Sequence, residues 1–346
     1  MIVINKMHLQ EADLLRVLAL AMLLIDHSFA CQSGFWPAYE GMEAIPAYYW
    51  IGRLSYACML PLWVFLSGYL NGFHIYGRGR SQNLRRLAKR KGYRLLVPCY
   101  LLGFGYLIAT GSLRDLLTAR GVWFYLSGLQ HLWFLPMLFW TFLASALIHQ
   151  YVKSERKILI FTGILSICCI NIASLGIGAM CYYLFYFEMG MTAYKHRTQW
   201  EILAKGKILR WLALGFAVMF PVLTIAHEAV LAEGVNSVSD RVVTQILMHL
   251  ADMPCAVVGI LLCYGLVTRY CARHEVAGWI SLAATMSFSV YLIHQFVLEP
   301  IYFASSLIHI FPSWAMPWVA LMIVTVVSFG IAAIIQRSAR LKSIFA

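Results

Sequence analysis

The stretch RVLALAMLLIDH, residues 16–27, is apolar enough for a membrane-spanning helix, yet it carries ionisable groups at both ends. Nine of the ten residues between Arg16 and His27 are aliphatic, alanine or methionine, and only Asp26 interrupts them. Eleven helical steps of about 100° and about 1.5 Å place Arg16 and His27 on one face, about 16 Å apart along the axis. Because ionisable groups at such depth are costly in lipid, we expect this face to meet protein or a watery cavity.

The composition of the whole chain predicts a membrane protein. Of its 346 residues, 61% are hydrophobic and only 12% are charged, and the mean hydropathy is +0.73. A soluble domain has roughly a quarter of its residues charged. Recurrent apolar runs predict an all-α, polytopic transmembrane helical bundle with about ten spans, which forms a single domain over 1–346. The expected spans are 14–32, 48–74, 93–110, 132–149, 157–174, 177–193, 208–226, 247–268, 279–304 and 314–335.

The basic residues are distributed unevenly between the two sides of this predicted bundle. When the connections are assigned alternately to two sides, one side receives 22 of the 27 lysines and arginines and the other receives 3. This positive-inside pattern predicts that both termini are cytoplasmic. The net charge of +12 is concentrated in clusters such as 78–94. Such clusters suit anionic membrane lipids or an anionic cytosolic ligand, so we do not expect a nucleic-acid partner.

Each ionisable residue of the first span also has a purely structural explanation. Arg16 can extend its guanidinium to the lipid headgroups, as long basic side chains near helix ends often do. His27 can be a hydrogen-bonded residue of the core. Asp26 lies about 100° around the helix from His27, so it is not automatically its partner and can pair with Arg53 instead.

Further polar residues lie in the outer halves of later predicted spans. They include Arg53, Asp252, His294 and Glu299, and Tyr291 shares one helix face with His294 by its spacing. Polar groups that converge at this depth suggest a cavity open to the outer side. Structural alternatives are an ion pair between Arg53 and an acid, and a packed, hydrogen-bonded His294.

Five stretches, in chain order, resemble the acyltransferase-3 family of integral membrane acyltransferases. Arg16 followed after ten residues by His27 resembles the arginine–histidine motif of that family. The other four stretches are PLWVFLSGYLNG (61–72), RLLVP (94–98), HLWFLPMLF (131–139) and SFSVYLIHQ (287–295). Together they cover nearly the whole chain. Asp26 departs from the family, which more often has a small or apolar residue before the histidine.

The resemblance implies an O-acetyltransferase in a bacterial cytoplasmic (inner) membrane. Its donor would be cytosolic acyl-CoA, most often acetyl-CoA, and its acceptor a hydroxyl of a cell-surface glycan or lipid-linked sugar, with no metal. His27, with Asp26, is the expected catalytic pair, because a histidine titrates near neutral pH. His27 can act as a general base or as a transient acyl carrier.

Together with the charge and depth of polar residues in the predicted spans, the resemblance suggests candidate binding residues. Arg16, Arg90 and Arg94 form a basic rim suited to coenzyme phosphates, and the coenzyme tail is expected along the helix face from Arg16 to His27. The candidate acceptor-binding residues are Arg53, Trp133, Tyr291, His294 and Glu299. The alternative function is a transporter or flippase for polysaccharide or lipid-linked glycan, because buried charges in a helical bundle also mark substrate paths.

Overall fold

A computed structural model describes residues 9–79, 83–169, 175–232 and 238–345 of the protein. Within these ranges every regular element is a helix, and none is a β-strand. This confirms the predicted all-α fold. In chain order the helices are α1 (Gln10–Ser28), α2 (Ala30–Ser33), α3 (Pro46–Gly72), α4 (Leu84–Lys91), α5 (Val97–Ala109), α6 (Ala119–Ser127), α7 (Phe134–Tyr151), α8 (Glu155–Cys168), α9 (Ile177–Lys195), α10 (Arg197–Trp200), α11 (Gly206–Ala232), α12 (Val238–Cys271), α13 (Gly278–Phe303), α14 (Leu307–Ile310), α15 (Met316–Arg337) and α16 (Ala339–Phe345).

Seven helical segments of the described chain are long and apolar enough to cross a membrane. They coincide with seven of the ten predicted spans, and short π-helical or 3-10 turns extend three of them. The segments are Pro46–Gly77, Leu84–Ala109, Gln130–Tyr151, Gly206–Ala232, Asp240–Cys271, Gly278–Phe303 and Met316–Arg337. The protein is therefore a multi-pass membrane protein.

The other three predicted spans coincide with α1, α8 and α9, which are shorter or more polar. Four charged residues lie in α1, and α9 contains Glu188 and several tyrosines. Both helices pack among other helices, so their surfaces need not be as apolar as a lipid-facing surface. Helix α8 has 14 residues, and the predicted end of its span, 170–174, lies outside the described residues.

The long helices alternate in direction between two ends of the bundle. At one end the Tyr69 hydroxyl of α3 donates a hydrogen bond to Glu11 at the start of α1, over 3.0 Å. At the other end Tyr302 of α13 donates to the carbonyl oxygen of Ser28, where α1 ends. We call the first the basic end, because it carries the basic helix α4, and the second the opposite end.

Two glycines allow α3 and α9 to cross closely near the basic half of the bundle. A Cβ atom on Gly68 of α3 would meet the carbonyl oxygen of Phe187, and one on Gly190 of α9 would meet the carbonyl oxygen of Phe65. Small residues let helix backbones approach in this way. The crossing holds α3 in the centre of the bundle, against α1, α9 and α12.

Candidate active site

His27 lies in the last turn of α1, where its ring orientation is set by two acceptors. Its Nδ1 atom is 3.1 Å from the carbonyl oxygen of Leu23 and 3.2 Å from a carboxylate oxygen of Asp26. Because both neighbours accept hydrogen bonds, they favour the tautomer that carries its proton on Nδ1. The Nε2 atom is then left with a lone pair that can accept a proton.

Asp26 is buried, and its close polar neighbour is His27. The structural alternative in which Asp26 pairs with Arg53 is wrong, because Arg53 forms its ion pair with Glu228 of α11. Asp26 remains within electrostatic range of Arg53. Consecutive side chains on a helix do not normally face each other, yet this pair meets at the end of α1, where the imidazole turns back toward the carboxylate.

Three histidine rings, which we call the histidine row, lie side by side near this point. The ring centroids of His27 and His294 are 4.8 Å apart, and those of His294 and His131 are 4.9 Å apart. The rings of His294 and His131 are buried, and one nitrogen of each lies close to a backbone carbonyl oxygen. The Tyr291 oxygen is 2.6 Å from His294 Nδ1, and the Leu292 oxygen is 3.2 Å from His131 Nε2. The other nitrogen of each is buried, with no hydrogen-bond partner among the described residues.

His131 was not among the residues predicted from sequence, although it opens the family-like stretch 131–139. The sequence feature that could have indicated His131 is its position as an ionisable residue at the start of an apolar run. Tyr291, which was predicted, donates its hydroxyl to the carbonyl oxygen of His131 over 2.7 Å. That hydrogen bond therefore holds the backbone of His131 against α13.

Glu299 belongs to a hydrogen-bonded chain beside the histidine row. The Gln295 side-chain amide donates to Glu299 over 2.9 Å and to the side-chain oxygen of Gln130 over 3.3 Å. The Gln130 side-chain amide in turn donates to the Tyr106 hydroxyl over 2.8 Å. Gln130 has φ of 51°, a conformation that is uncommon outside glycine. Such strain persists only where the surroundings enforce it, as this network does.

The three candidate coenzyme-binding arginines gather at the basic end. Arg16 is half-buried and donates a hydrogen bond to the carbonyl oxygen of Ala284 over 3.4 Å. Arg90 and Arg94 are exposed, and Arg94 lies within electrostatic range of both other arginines. The structure thus brings together the basic rim that was predicted.

A cavity of about 710 Å³ opens in the half of the bundle near the opposite end. Of the predicted residues it is lined by Arg53, Trp133 and Asp252, but neither Arg16 nor His27 lines it. No residue of α1 lines this cavity, so it is not the coenzyme path that was expected between Arg16 and His27. Tyr56 in the cavity wall lies within electrostatic range of Asp26.

Two residues of α11 near the cavity were missed from sequence. His227 lines the cavity and contacts Asp252, and the neighbouring Glu228 pairs with Arg53. The available signal was an adjacent pair of ionisable residues inside an otherwise apolar helix.

A helical membrane bundle with a basic rim at one end and a histidine–carboxylate pair toward the other fits the class of membrane-embedded transferases. The family model of the acyltransferase-3 acyltransferase domain matches residues 9–337. The chain belongs to this family and is a membrane acyltransferase. Comparisons with curated proteins and with solved structures gave no match.

Proposed function

We propose that the protein transfers an acetyl group from cytosolic acetyl-CoA to a hydroxyl of a cell-surface or lipid-linked sugar, in a bacterial cytoplasmic membrane. The observation that supports this most is the setting of His27. Its Nδ1 atom faces the Leu23 carbonyl and the Asp26 carboxylate, an arrangement that leaves the lone pair on Nε2 to accept a proton. The basic end would face the cytoplasm, in agreement with the distribution of lysine and arginine.

His27 acts as the general base in the proposed reaction. Its Nε2 atom takes the proton of the acceptor hydroxyl as that oxygen attacks the carbonyl carbon of the thioester. The carbon–sulfur bond then breaks, and the imidazolium returns the proton to the leaving thiolate. The products are an acetyl ester and free coenzyme A. Asp26 stabilises the transient imidazolium, because its carboxylate lies 3.2 Å from Nδ1.

Arg16, Arg90 and Arg94 bind the phosphates of the donor at the basic end. Arginine suits this role because its planar fork binds phosphate oxygens with two hydrogen bonds. The coenzyme tail then extends about 16 Å along α1 to reach His27. The phosphates of the donor are therefore bound at one end of α1, and its thioester reacts at the other end.

The acceptor enters from the opposite end of the same single domain, 1–346. Arg53 and Trp133 contact it from the cavity wall, which they line. Tyr291, His294 and Glu299 do not line the cavity and support the site indirectly. Their hydrogen bonds hold the histidine row and Gln130 in place.

Turnover of radiolabelled acetyl-CoA by the purified protein, with and without a glycolipid acceptor, tests the proposal. We expect His27→Ala to lower the transfer rate by at least about 10²-fold while coenzyme binding is retained, because a general base contributes that much. Arg16→Ala should mainly weaken coenzyme binding. His309→Ala, at an exposed histidine, is the matched control.

Full turnover by His27→Ala would contradict the general-base role. Labelled enzyme that forms without acceptor, together with ping-pong kinetics, would identify His27 as an acyl carrier instead. Movement of a glycan with no acyl donor present would favour a transporter.

A further inference from the structure

The cavity at the opposite end has several aromatic residues in its walls. Phe35, Tyr56, Trp133, Tyr182 and Tyr183 line it. Aromatic rings offer flat apolar faces, and tyrosine and tryptophan add polar tips. Its volume of about 710 Å³ falls within the roughly 300–1,000 Å³ typical of sites for small organic ligands.

A hydrogen-bonded pair of ionisable side chains also lines this cavity. His227 Nδ1 on α11 lies 2.9 Å from a carboxylate oxygen of Asp252 on α12. The Asp252 side chain is 42% exposed, so the carboxylate is accessible from the cavity. With its Nδ1 proton directed to the carboxylate, His227 keeps a lone pair on Nε2. The pair therefore offers several acceptors for ligand hydroxyl groups.

The cavity lining has no surplus positive charge. Arg53 is the only lysine or arginine among the described residues that line it, and Glu228 already forms an ion pair with Arg53. The Arg53 guanidinium also stacks over the ring of Phe35, 4.5 Å from its centroid. An acidic ligand would bring a second negative charge close to Asp252, which is unfavourable. In this respect the cavity differs from the basic end.

We infer that this cavity binds an uncharged sugar unit of the acceptor, with the His227–Asp252 pair as its hydrogen-bonding centre, and that it discriminates against acidic sugars. The assignment of the ligand as the acceptor rests on the proposed function, whereas the binding itself needs no catalysis. The aromatic walls contact the apolar faces of the sugar ring, and the pair accepts hydrogen bonds from its hydroxyls. Tyr56 of the cavity wall lies within electrostatic range of Asp26 of the proposed catalytic pair.

Thermal unfolding of the purified protein, followed with and without added sugars, tests the inference directly. The probes are a panel of uncharged methyl hexopyranosides and the matching methyl hexuronides. A ligand that binds only the folded state raises the melting temperature. We expect at least one uncharged glycoside to raise it and the acidic probes to leave it unchanged. Equal or larger shifts with the acidic probes, or no shift with any uncharged glycoside, would overturn the inference.

Variants of the pair locate the binding. Asp252→Asn and His227→Gln should weaken binding of the uncharged glycoside by about tenfold. The first replaces a charged acceptor by a neutral one, and the second removes the imidazole acceptor and its hydrogen bond to Asp252. Binding of acetyl-CoA should be unchanged in both.

Glu275→Gln, at an exposed carboxylate elsewhere, is the matched control and should bind the glycoside like the wild type. Unchanged glycoside binding by folded Asp252→Asn would overturn the role of the pair. If neither variant folds, the comparison of charged and uncharged probes on the wild type still decides whether the cavity excludes acids.

The two proposals fail in different ways. If the protein turns over acetyl-CoA but no uncharged sugar binds, the inference about the cavity is wrong and the proposed function stands. If uncharged sugars bind and Asp252→Asn weakens them, but no acyl transfer occurs, the proposed function is wrong and the cavity still binds sugar.

Discussion

His27 differs from an ordinary buried histidine because the groups around it define which nitrogen is basic. Leu23 O and Asp26 both approach Nδ1, and the ring of His294 lies 4.8 Å from the His27 ring. His27 remains partly accessible, with 18% of its side chain exposed, whereas His294 is fully buried. Of these two histidines His27 is the more accessible one, which agrees with the role of general base that we propose for it.

Replacing Asp26 tests whether the carboxylate supports His27. We expect Asp26→Asn to lower kcat for acetyl transfer by at least about tenfold, because the imidazolium that forms during the reaction loses the opposite charge beside it. The KM for acetyl-CoA should not change, since the basic rim is at the other end. Asp115→Asn, at an exposed carboxylate, serves as control. A loss of thermal stability with unchanged kcat would show that Asp26 is only structural.

At the residue scale, the sequence predicts the Arg16–His27 pair because both lie on one helix, where spacing determines geometry. It does not predict His131 or His227. Their neighbours come from other helices, His294 of α13 and Asp252 of α12, and the contacts depend on how the helices pack. For the same reason the sequence left open which acid pairs with Arg53, with Asp26 as one alternative, whereas the structure shows Glu228.

At the scale of elements, the close crossing of α3 and α9 fixes the centre of the bundle. A methyl group on Gly68 has no room, because it would meet the carbonyl of Phe187. We expect Gly68→Ala to lower stability by about 1–3 kcal/mol, the usual cost of overpacking. Gly215→Ala in α11 is the control, because a Cβ there has no neighbour within 4 Å. Equal melting temperatures for the two variants would contradict this account of the crossing.

A second link between elements joins α8 to the end of α9 and depends on pH. Glu155 forms an ion pair with Lys195 and lies 2.7 Å from His196 Nε2. Burial by itself would raise the pKa of Glu155, but hydrogen bonds from Lys195 and His196 lower its pKa below the ordinary 4.5. A lowered native pKa means that the stabilisation is present above pH 4.5 and is lost as the pH falls through the lowered value.

We therefore expect Glu155→Gln to melt at a slightly lower temperature than the wild type at neutral pH. The difference should be small, below about 1 kcal/mol, because the pair is partly exposed. It should shrink as the pH falls below 4.5. Thermal unfolding of both proteins across this range is the measurement. A difference that stays constant down to acidic pH would contradict the assigned role of the carboxylate.

Apolar runs predict where the helices lie but not where they end. The predicted span 247–268 corresponds to α12, Val238–Cys271, which continues beyond its apolar part through polar residues such as Asp240 and Arg241. Apolarity reports contact with lipid, whereas a helix ends where its backbone hydrogen bonds end. The run 14–32 likewise contains a break at Phe29, between α1 and α2.

At the scale of the whole molecule, the bundle has two ends of different chemistry. The basic end gathers arginines that suit phosphates, and the opposite end has a partly aromatic cavity without surplus positive charge. His27 lies at the end of α1 that is near the cavity. The distribution of charge along the sequence predicted the first end. The cavity required the packing of several helices, so the sequence indicated only some of its polar residues.

We propose that donor and acceptor reach His27 from opposite ends of one bundle. The most direct measurement uses sealed proteoliposomes in which the basic end of the protein faces outward. Radiolabelled acetyl-CoA is added outside, and an acceptor sugar is enclosed inside. We expect labelled sugar in the lumen and free coenzyme A outside, with neither product from His27→Ala. Labelled sugar that forms only when donor and acceptor are on the same side would contradict it.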